Sequence, residues 1–187
     1  MAPSHDTSST RWIETSRGII SYSALAPLIA EKVMKTQEKI ESGQYHHIPL
    51  SEELVLLLYT DFCGEIVPDW TGRWRSVDMQ VGEHTPPSYF LVPQNMRNYV
   101  LDLQERLKES LSIDQTLSVM AFAEGRLLSI HPFHDFNGRL NLPPVNLLPQ
   151  KESEVESYLS ALRAVDHHDY QLLEEVWKRR LESDFER

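Results

Sequence analysis

The stretch from Ser112 to Ile130 constrains this chain more than any other. Ser112 and Gln115 have capping-box spacing, and Asp114 falls in the positive first turn of the helix they would open. Leu117, Met120, Ala121, Ala123, Leu127 and Leu128 then leave that helix apolar on most sides. Such a helix must be covered all round, so it belongs at the centre of a domain with other elements gathered about it. It should end at Ser129-Ile130, because His131-Pro132 follows and proline disfavours helix before it. The surrounding pattern supplies the covering helices. Leu28, Ile29, Val33 and Ile40 predict a helix over 25–42, closed by Gly43. Ser51 can cap a second over 54–59. Met96, Val100, Leu103 and Leu107 predict a third over 94–110, and two more are expected at 152–164 and 170–182.

The stretch 64–92 breaks the helical pattern with Gly64, Pro68, Gly72, Gly82, Pro86 and Pro87. Val77, Met79 and Val81 alternate with polar residues over 76–81, and Tyr89 to Val92 are strand formers. Two strands joined loosely by GEHTPPS are expected there, resting on the helices because a lone hairpin is not stable. The fold expected is mainly α with one β-hairpin. It forms a single domain over 11–187, behind a small, polar, disordered lead-in at 1–10.

Length and charge narrow the partners. The 187 residues suit one domain, and 41% apolar content is enough for a core. Eighteen basic against twenty-eight acidic residues leave a net charge of −10, which repels phosphate backbones and argues against nucleic acid. No apolar run approaches the ~18 residues of a membrane span, and the polar N-terminus is not a secretory signal. Cys63 is the one cysteine, so no intrachain disulfide forms, and a reducing, cytoplasmic location is expected.

The chemistry is concentrated in HPFHDFNGR, His131 to Arg139, where five of nine side chains are polar or charged. Such groups at the end of a core helix cost stability unless satisfied or used. Asn137-Gly138 is a turn whose backbone N–H groups can form an anion site at the start of a helix. Arg139 adds a positive fork for phosphate oxygens, and Asp135 is a hard ligand suited to Mg²⁺. His131 can accept a proton near neutral pH. Base, metal ligand, anion nest and arginine together point to phosphoryl or nucleotidyl transfer. His131 and His134 with Asp135 also have spacing that admits a metallohydrolase, and His167-His168-Asp169 either binds metal or marks the turn between the last two helices. Arg73 or Arg75 either reaches a ligand or lies on the surface, and Lys178, Arg179 and Arg180 suit the negative end of the last helix.

The segment resembles the signature of the Fic (filamentation induced by cAMP) family, H-P-F-x-[DE]-[GA]-N-[GK]-R-x-x-R, at His131, Pro132, Phe133, Asp135, Asn137, Gly138 and Arg139. WTGRWR (70–75), the hairpin region and VPQNM (92–96) extend the likeness over about 50–140. The resemblance implies a helical Fic-type domain with a flap, 76–92, over a signature loop, 131–139. It implies transfer of AMP from ATP to a hydroxyl of a target protein. His131 would be the general base, Asp135 the Mg²⁺ ligand, and Asn137, Gly138 and Arg139 the phosphate cradle, with Phe133 packed inward to fix the loop. The flap would hold an extended target segment by strand addition. The chain departs from the signature at Phe136, where the family has Gly or Ala, and at Leu142, in place of the second arginine. Pro143-Pro144 end any helix begun at Asn137 within about one turn. These departures raise the alternative of a Fic-fold binding module without catalysis. Thr10 to Glu14 has the spacing of the family's inhibitory motif but is followed by Thr15 rather than Gly or Asn, which points to a separate small antitoxin-like protein.

Overall fold

The computed structural model describes residues 11–108, 111–140 and 152–185. The lead-in expected at 1–10, Leu142 and the Pro143-Pro144 helix stop lie outside the described residues. The chain divides into two compact units, Met1–Pro49 with Glu53–Arg73, and Leu50–Glu52 with Trp74–Arg187.

The first unit opens with an antiparallel hairpin, β1 (Trp12–Thr15) and β2 (Gly18–Ser21), in the register Trp12↔Ser21 to Thr15↔Gly18. Its turn is closed by the Thr15 hydroxyl, which donates to Gly18 O at 2.7 Å and accepts from Arg17 N. Ser16 fastens the tip to distant backbone, with its N–H on Ile66 O and its hydroxyl on Glu65 O. Ser21 then caps α1 (Tyr22–Glu41). The helix buries Leu25, Ile29 and Val33 at the spacing of one face. Helix α2 (Glu52–Cys63) buries Tyr59, Phe62 and Cys63 completely. The Cys63 thiol donates to Tyr59 O, and burial pushes its pKa up to about 12, so it is a packing residue and not a nucleophile.

The second unit contains α3 (Val92–Arg106), α4 (Ile113–Ile130), α5 (Asn137–Leu140), α6 (Glu152–Val165) and α7 (Gln171–Phe185). Helix α4 packs against α3, α6 and α7, which is the central place its sequence demands. The capping box at its start is complete, with Ser112 and Gln115 each bonding the other's backbone N–H. Leu117 and Ala121 of α4 meet Ala161 and Val165 of α6 and Leu173, Val176 and Trp177 of α7 in one core. Gly125 is where these helices come closest. A Cβ there would lie 2.8 Å from a Val165 methyl carbon and 3.1 Å from one of Leu173. Next to it, Glu124 and Arg180 form an ion pair at 3.3 Å, only 4% and 8% exposed. Tyr158 donates to the other Glu124 oxygen at 2.6 Å. Arg180, expected to serve the negative end of the last helix, is thus part of the core: its guanidinium also lies over the Tyr158 and Trp177 rings. His167-His168 form the turn between α6 and α7, with His168 in the left-handed region and Asp169 capping Gln171 N.

The strands expected over 76–81 and 89–92 are not formed. Pairing shrinks to one bridge, Val81↔His84, around the tight turn Gly82-Glu83, and Tyr89–Leu91 is a 3₁₀ turn leading into α3. The physical reason lies in the bonds that replaced the ladder. Pro86 and Pro87 have no N–H to give. The Arg75 guanidinium takes the carbonyls of Val77 and Pro87, and Tyr89 N donates to the Asp78 carboxylate at 2.7 Å. Segment 76–89 is a loop tied by side chains. The two-stranded sheet among the described residues is β1–β2, in a stretch where the sequence predicts none.

Candidate functional site

Helix α4 ends where its sequence says it should, and His131 is its last cap. The residue stands in the left-handed region, φ +50°, with its N–H on Leu127 O at 2.9 Å. Histidine tolerates this region better than most residues. Backbone held there at a half-buried imidazole is the kind of local strain that accompanies function.

The loop that follows is built inward. Phe133 is fully buried, with its ring 5.3 Å from that of Trp74. The Asn137 side chain, 2% exposed, clasps it: Phe133 N donates to Asn137 Oδ1 and Asn137 Nδ2 donates to Phe133 O, both at 2.9 Å. This pair copies a backbone ladder rung and fixes the loop's curvature. Asp135, 8% exposed, accepts from Phe136 N at 2.6 Å. Gly138 and Arg139 are exposed on α5, and a Cβ at Gly138 would meet nothing within 4 Å. So a group can approach the backbone there closely.

Phe136 occupies the left-handed region, φ +58°, and is 3% exposed. The position demands the backbone a glycine gives freely, and here burial of a ring offsets the cost. Strain of about 1–2 kcal/mol is outweighed by the roughly 3–5 kcal/mol a buried phenylalanine contributes. Phe136→Gly should therefore lower stability by about 2–3 kcal/mol in urea melts, not raise it.

Arg75 is the residue whose importance its type alone does not disclose. It is 2% exposed. Its Nε donates to His131 O and Nη1 to Val77 O, each at 2.8 Å, while Nη2 reaches Pro87 O. Its own N–H donates to Pro132 O at 2.8 Å. One guanidinium therefore ties the cap of α4 to both ends of the 77–87 loop. Burial lowers its pKa, the penalty of a desolvated cation, and the Asp78 carboxylate 3.9 Å from Nη1 offsets only part of it.

A cavity of about 430 Å³ opens beside His131. Its walls are the turn at Val81 and His84, the end of α4 at Leu128 and Ser129, and Leu159 and Asp166 on the side of α6. The structure thus brings His131, Asp135, Asn137, Gly138 and Arg139 into one loop and α5. Among the described residues no three of His, Cys, Asp and Glu gather to hold a metal ion. A catalytic zinc site needs three protein ligands, so the metallohydrolase reading finds no support in the described residues. One buried carboxylate, Asp135, does fit Mg²⁺, which takes one or two carboxylates along with phosphates.

Known proteins share this fold. The model of the Fic/DOC family matches residues 49–148, more than half of the chain. The BepC protein of Bartonella tribocorum, solved with AMPPNP bound, superposes with a TM-score of 0.65 at 16% identity, over 91% of this chain and 92% of that one. The N-terminal FIC domain of Bep8 from Bartonella sp. 1-1C gives 0.69 at 14% identity, over 89% and 88%. Fic-1 from C. elegans gives 0.61 at 22% identity, over 83% of this chain and 48% of that one. The chain belongs to the Fic/DOC family. No described helix is long and apolar enough to cross a membrane.

Proposed function

We propose that this chain is a nucleotidyl transferase that moves AMP from ATP to a hydroxyl side chain of a target protein. The observation that carries the reading is the strained, half-buried His131 at the cap of α4, followed within six residues by Asp135 and α5 in a Fic/DOC fold. The nucleotide seen in BepC supports ATP as the donor. His131 takes the proton of the target hydroxyl, its oxygen bonds to the α-phosphorus, and pyrophosphate leaves with the electrons of the broken bond. Asp135 holds Mg²⁺, which when bound supplies charge neutralisation at the phosphates. Gly138 admits the phosphates to the backbone, and Arg139 offers its fork to their oxygens. The amide of Asn137 serves by holding the loop against Phe133. Segment 76–92, the side-chain-tied loop with the turn that enters α3, is the flap that receives the target, and a small antitoxin-like protein is the inhibitor this reading implies. The alternative, a binding module without transfer, draws support from Phe136, whose buried ring stands where the family carries Gly or Ala.

Incubation with Mg²⁺ and ATP labelled at the α-phosphate tests the reading. Label is expected on protein, and should fall by about two to four orders of magnitude in His131→Ala. Label that is equal in the variant removes His131 as the base. ATP that raises the melting temperature without transfer favours the binding module, and neither effect withdraws both.

A further inference from the structure

His84 sits at the end of the Val81–His84 turn, and both of its ring nitrogens are engaged. Nδ1 lies 2.8 Å from Asp166 Oδ2, and Nε2 lies 2.9 Å from Ser129 O. A carboxylate and a carbonyl both only accept. A neutral imidazole has one N–H and would set a lone pair against one of the two oxygens. Only a ring that donates from both nitrogens satisfies both. The two side chains are 21% and 28% exposed, well sheltered for an ion pair at a loop. Ser129 is two residues before His131, and His131 lines the same cavity as His84.

We propose that His84 is a positioning residue: bridging from both ring nitrogens, it latches the 81–84 turn to the end of α4 and to the turn after α6, setting the height of the flap beside His131. The other charged groups facing it are few. Glu83 comes from its own turn, Arg163 from α6, and His131 from the cap of α4. Arg163 opposes a second cation, but it is turned to Glu83 at 3.7 Å and Glu156 at 3.3 Å. The acidic partners outnumber it. Losing either N–H leaves the latch with one of its two anchors. That the latch places a target beside the base rests on the transfer reading above, whereas the latch itself does not.

Amide exchange at Val81 and His84 in the full chain tests it, since these two N–H groups bond across the turn at 3.0 Å. Corrected for intrinsic rates, protection at both amides should fall about tenfold in His84→Ala, while the α6–α7 core keeps its own. In Asp166→Asn the carboxamide can donate to a bare Nδ1 while Nε2–H donates to Ser129 O. That variant should stay protected. Asp166→Ala should be about as poorly protected as His84→Ala. Protection in His84→Ala or Asp166→Ala equal to that of the natural chain, or lost evenly through the whole second unit, overturns the proposal. The exchange is read without nucleotide or target, so a failure of AMP transfer leaves this result independent.

Discussion

Replacing Arg180 with methionine is expected to cost the fold about 3–5 kcal/mol, the largest loss of any single side chain considered. The size follows from what stays behind. Glu124 is 4% exposed, and with Arg180 gone only the Tyr158 hydroxyl would face its charge. A buried carboxylate with one neutral donor must be rehydrated or protonated, and either opens the seam between α4, α6 and α7. The Glu124→Gln, Arg180→Met double variant removes both charges and keeps an acceptor for Tyr158. It should recover most of the loss, ending within about 1–2 kcal/mol of the natural chain. Urea denaturation of the four proteins of this cycle measures the coupling. A single variant that loses less than about 1 kcal/mol would mean that the stacking on Tyr158 and Trp177, and not the charge pair, is what Arg180 contributes.

Arg75→Lys should be the more damaging of the conservative changes near the site. An ammonium is a point donor on a flexible stem and cannot span His131 O, Val77 O and Pro87 O as a planar fork does. Losing two of three charge-assisted bonds should lower stability by roughly 2–3 kcal/mol. The loss should be uneven. Exchange protection should fall through 76–89 and at the cap of α4, while the α6–α7 core keeps its own. If AMP transfer is the activity, kcat should fall with it, because His131 loses the bond on its carbonyl. Uniform destabilisation with the 76–89 loop no more exposed than the rest would show that Arg75 is merely a core residue.

The helices could be read in advance because each announces itself over many residues. Helix α4 declared its capping box, its all-round apolar surface and its proline stop, and all three hold. The signature loop was equally plain, and Phe133 does pack inward. The strands at 76–92 misled because alternation signals only a half-buried extended chain, and strand preference depends on what lies alongside. Here Arg75 and Asp78 took the backbone groups a partner strand would have used. Arg75 and Arg180 were hidden for another reason. A sequence shows an arginine's charge but not whether carbonyls or a buried glutamate await it, since those partners come from 12 and 56 residues away. The hairpin at 12–21 is held to distant Glu65 and Ile66, which local spacing does not record.

Gly125 makes α4 a ruler. Val165 and Leu173 are seated in the notch its missing side chain leaves, so neither α6 nor α7 can slide along the central helix without climbing out over a neighbour. The helix runs on for five residues from that notch, about 8 Å, and then presents His131. The distance from the anchorage of the bundle to the imidazole is therefore set by a count of residues rather than by the give of a loop. Inserting or deleting one residue between Gly125 and Ile130 would swing the histidine by about 100° around the axis while the bundle stayed seated, disarming the site without unfolding the protein.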